Sequence, residues 1–125
     1  MILKSFELKK VSLDNRIFLI YGENDGLKKE IRTEISKQFQ GKEVNYDENG
    51  IIKNFDEFVN LIKNHSLFDD KKIITINRCT EKISEIIFEL INYKIDDVII
   101  IETGILEKKS KLRSFFEKNT NTIIV

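Results

Sequence analysis

Proline is absent from this sequence, and cysteine and histidine occur once each, as Cys79 and His65. A lone cysteine forms no internal disulfide, and one Cys with one His falls short of a Cys/His zinc site. That usage fits a reducing, cytoplasmic compartment. An excess of one charge is missing too. The 21 basic and 21 acidic side chains cancel, so no net field draws the chain to a phosphate backbone or an anionic membrane surface. Stand-alone nucleic-acid binding is disfavoured. Long hydrophobic runs are lacking: none approaches a membrane span, and the opening Met1-Ile2-Leu3-Lys4 turns charged too soon for a signal peptide.

What is present suits a folded domain. Of 125 residues, 41% are hydrophobic and 34% charged, enough to bury a core without disulfide or metal staples. Ile17-Phe18-Leu19-Ile20-Tyr21 and Val98-Ile99-Ile100-Ile101 are short and apolar on both faces, as strands covered from each side must be. Lys72–Ile76 reads as a third strand, Glu43–Tyr46 as an edge strand, and Thr122–Val125 as a fifth. Between them the apolar period becomes helical: Leu27, Ile31, Ile35, Phe39; Phe55, Phe58, Val59, Ile62; Ile83, Ile86, Ile87, Leu90, Ile91; and Leu112, Phe115, Phe116. Asn54 opens a capping-box pattern with Glu57, and Thr80 and Ser110 stand at N-cap positions.

Strands alternating with helices predict a doubly wound α/β domain, a mostly parallel five-stranded sheet with helices on both faces. Without proline, repeats or low-complexity linkers, one domain over residues 1–125 is expected. Residues 1–15 fit no element clearly, and a chain ending on the strand at Val125 reads as a piece of a longer protein.

The first strand runs into Gly22-Glu23-Asn24-Asp25-Gly26-Leu27-Lys28-Lys29, where a P-loop would cradle phosphates. A working P-loop needs a glycine before its lysine and a Ser/Thr hydroxyl after it for magnesium. Leu27 and Lys29 occupy those places, so Gly22, Gly26 and Lys28 form a degenerate loop, or simply a strand-to-helix turn with glycines where positive φ is needed. The acid that should close a neighbouring strand is equally thin. Asn77-Arg78 follow the third strand, and Glu102 is the only carboxylate at the end of the fourth. Neither cofactor nor catalytic site is expected. His65-Ser66 and Asp69-Asp70 lie in one loop without a Gly-x-Ser-x-Gly elbow, so a hydrolase triad is not supported.

The same loop places Leu67 and Phe68 in an otherwise polar connection. Either they fold inward as satellite core or they anchor a partner. Burial of each side chain is worth about 1.5–3 kcal/mol, enough to dominate an interface.

Three stretches in order carry a resemblance: Phe18 through Ile31, then Ser66-Leu67-Phe68, then Leu106-Glu107-Lys108-Lys109-Ser110-Lys111-Leu112-Arg113 with Glu117. Together they resemble the N-terminal domain of the DNA polymerase III delta subunits of bacterial clamp loaders, over nearly the whole chain. The resemblance implies a P-loop NTPase-like fold of the AAA+ clamp-loader type that has lost ATP binding. It implies that Leu67 and Phe68, with Ser66 before them, enter the hydrophobic pocket of the beta sliding clamp and help to open the ring. It also implies lid and collar domains outside these residues, joining delta-prime and tau/gamma subunits, and contact with DNA only within the full replisome complex. Two alternatives stand beside it: an active P-loop ATPase or nucleotide kinase, and a receiver-like regulatory module with Leu67 and Phe68 buried.

Overall fold

The computed structural model describes residues 16–63, 71–90, 97–106, 109–118 and 122–124. Residues 1–15, and the connection that carries His65, Ser66, Leu67, Phe68, Asp69 and Asp70, lie outside the described residues.

Strands β1 (Ile17–Ile20), β2 (Lys42–Asp47), β3 (Lys72–Cys79), β4 (Val98–Thr103) and β5 (Thr122–Ile124) form one sheet in the order β2-β3-β4-β1-β5. All its pairings are parallel. The connections carry α1 (Asp25–Phe39), α2 (Glu48–Lys53), α3 (Phe55–Lys63), a 3-10 turn (Glu81–Ile83) running into α4 (Ser84–Leu90), and α5 (Lys111–Lys118). The protein is therefore an α/β fold compatible with the Rossmann and P-loop class. Its order is neither the 3-2-1-4-5-6 of dinucleotide-binding folds nor the 2-1-3-4-5 of flavodoxin-like folds, because β1 here lies between β4 and β5.

That order decides the layers. The crossover from β1 to β2 steps past β4 and β3, whereas the three later crossovers step back the other way. Right-handed connections then set α1 on one face and the remaining helices on the other. Packing agrees. Phe18, Ile20, Ile73, Val98 and Ile100 meet Ile31 and Ile35 of α1, with Phe39 alongside. On the opposite face Leu19, Ile76 and Ile101 are clustered with Phe58, Ile86, Leu112 and Phe116. Successive residues of β1 and β4 thus enter different cores, which is why both strands are apolar throughout.

Several local expectations change. Leu27 begins the α1 stripe in sequence but is 42% exposed, whereas Ile31 and Ile35 further along the helix are buried. Thr80 and Ser110 cap as expected, accepting the amides of Lys82 and Arg113 at 3.3 and 3.0 Å. Asn54 does not: its side-chain amide donates back to the Gly50 carbonyl at 3.2 Å, closing α2. Strand β3 continues past Ile76 to Cys79 through a bulge, with Arg78 at φ 54°.

Helix α2, unmarked by any long apolar period, is held by tertiary contacts. Ile51 is buried, and the Glu48 carboxylate, 4% exposed, accepts the Thr80 amide at 2.6 Å and the Thr80 hydroxyl at 2.8 Å. Glu48→Ala should cost about 1–3 kcal/mol by leaving those donors unpaired, and Glu48→Gln less. Urea unfolding measures both, and an unchanged midpoint for the alanine variant would refute the assignment. Beside this pair, Cys79 is buried and its Sγ–H donates to the Ile76 carbonyl at 3.3 Å. Burial first, and the Glu48 charge second, push its thiol pKa well above the ordinary range, which favours the neutral thiol over the thiolate.

Candidate functional site

Open α/β sheets bind ligands outside the carboxyl ends of their strands, where neighbouring connections leave for opposite faces. In this sheet that point is the crevice between β1, which feeds α1, and β4, which feeds α5. Gly22 and Lys28 reach it, bonding to the carbonyls of Gly104 and Thr103 at the end of β4.

The chain leaves β1 at Gly22 with φ +128°, a conformation that requires glycine. Gly26 is different: it lies inside the first turn of α1 and has no positive φ, so only one of the two glycines serves the turn. The Gly22 amide donates to the Gly104 carbonyl at 3.1 Å, lacing the loop to the end of β4. Asn24 caps α1, its Oδ1 accepting the Leu27 amide at 3.0 Å while its carbonyl accepts the Lys28 amide at 3.0 Å. Asp25 adds a carboxylate to the first turn, stabilised by the helix dipole. Lys28 Nζ lies 3.3 Å from Asp25 Oδ1 and donates to the Thr103 carbonyl at 3.3 Å. Four donors of the sort a phosphate would use are therefore engaged within the chain, and a carboxylate stands where phosphate charge would come.

Glu102 lies on the α1 side of this crevice, near enough to Lys28 and Asp25 to feel their charges. It follows Val98 and Ile100 on the α1 face of β4, where it is buried and Arg32 Nε lies 3.3 Å from Oε1. Burial raises its pKa, opposed by the charges of Arg32 and then Lys28. A raised native pKa makes the protonated form the favoured one on folding. Its contribution is complete below the unfolded value of about 4.3 and is lost as pH climbs through the folded value. The stability of the parent relative to Glu102→Gln should thus fall with rising pH across that window. Urea titrations over a pH series check this, and a pH-independent difference would contradict it.

The Ser110–Arg113 stretch fixes the connection after β4. Glu81 accepts the Ser110 hydroxyl through Oε1 and the Leu112 amide at 3.1 Å through Oε2, while Leu112 itself is buried. Arg113 donates through Nη1 to the Leu106 carbonyl at 3.2 Å, pairs through Nε with Glu117 at 2.9 Å, and lays its guanidinium 5.4 Å from the Tyr21 ring centre. Asp25, Glu81 and the Thr103 carbonyl were not singled out by sequence. The acids at helix starts were the available signal, whereas a backbone acceptor leaves none.

Ser66, Leu67 and Phe68 lie outside the described residues. Their connection rejoins the fold at Lys71, whose carbonyl accepts the Lys42 amide at 3.0 Å, beside Lys72, whose amide donates to Asp97 Oδ1 at 2.9 Å. This is the amino end of β3, across the sheet from the Lys28 crevice. Among the described residues no group of three or more His, Cys, Asp or Glu could hold a metal ion, and no helix is long and apolar enough to cross a membrane. Comparison of the chain with protein-family models, with curated proteins and with solved structures finds no match.

Proposed function

We propose that this chain is a non-hydrolytic clamp-binding domain of the delta-subunit type, an AAA+-like scaffold that binds the bacterial beta sliding clamp and helps to open it during DNA replication. The observation that carries the reading is the internal engagement of Lys28 with Asp25 and Thr103 in the crevice where a P-loop enzyme would hold phosphates. A scaffold that spends its phosphate donors on itself has no use for the magnesium hydroxyl that Lys29 replaces. Its activity is then assigned to Leu67 and Phe68, with Ser66 before them, in the sequence that precedes β3.

Ring opening by such a domain is differential binding: it works only if the strained or open clamp is bound more tightly than the closed one. Partner loader subunits of the delta-prime and tau/gamma type would attach through lid and collar domains, and ATP on them would control access to Leu67 and Phe68. The alternatives fit less well. An active ATPase needs Lys28 freed from two partners, and a receiver-like module needs β1 between β2 and β3.

Isothermal calorimetry tests the reading with two titrants. Beta clamp should give saturable binding, and ATP with magnesium should give none. Absence of clamp binding would remove the proposed partner, and micromolar ATP binding would restore the enzyme reading.

A further inference from the structure

We draw no further inference here: the strongest candidate, the exposed Ile105 face just past the carboxyl end of β4, adjoins residues outside those described, and nothing in the structure shows what covers it.

Discussion

Replacing Leu67 and Phe68 together by alanine is expected to abolish capture of the beta clamp while leaving the fold intact. Two large apolar side chains inserted in a partner pocket contribute about 1.5–3 kcal/mol each, so their joint loss lowers affinity by roughly two to four orders of magnitude. Concentration of so much energy in two residues is the usual economy of an interface, where few anchors dominate. The described core has its own occupants: Ile31 and Ile35 on one face of the sheet, and Phe58, Ile62, Ile86 and Phe116 on the other. Calorimetry against the clamp and a thermal melt of the same variant separate the two possibilities. Lost binding with an unchanged melt supports the clamp contact. Unchanged affinity rejects it, and a stability loss of more than about 2 kcal/mol identifies Leu67 and Phe68 as core.

Much of the fold was readable because its strands are extreme. Phe18 to Ile20 and Ile99 to Ile101 are wholly buried, and only a sheet covered on both faces accommodates such runs. Helix α2 was not, since Asn49-Gly50 is a turn signal and the six residues form a helix around Ile51 and the Glu48–Thr80 contacts, which exist only in three dimensions. The candidate site divides the same way. The absent glycine and hydroxyl around Lys28 are plain in the sequence, because P-loop chemistry demands residue types at fixed spacing. Where Lys28 goes instead is not, because its acceptor is a carbonyl 75 residues further along the chain, and every residue type has a carbonyl. Glu102 shows the converse: its place at a strand end marks it, but the alternation of β4 turns it beneath α1 toward Arg32.

The largest stability effect is expected from Phe116→Ala. Phe116 is fully buried, and its ring meets that of Phe115 edge-on with centroids 5.9 Å apart, while Phe115 meets Phe88 of α4 at 4.8 Å. Truncation removes the ring's transfer energy and leaves a cavity that an eight-residue helix cannot close without leaving the sheet, a cost of about 3–5 kcal/mol. Against a typical domain stability of about 5–15 kcal/mol, that is about a fifth at the least and the whole at the most. The damage should spread in a definite direction. Helix α5 carries Arg113, which holds the Leu106 carbonyl, and its start is bonded to Glu81. Loosening α5 therefore frees the connection that presents Ile105, whereas the Lys28 contacts with Asp25 and Thr103 do not pass through it. Urea unfolding should show the loss in midpoint, and amide exchange under native conditions should show lower protection over residues 104–106 and 111–118 than over β1 and α1. Uniform loss of protection across all of these segments would mean that α5 does not hold residues 104–106 separately from the rest of the domain.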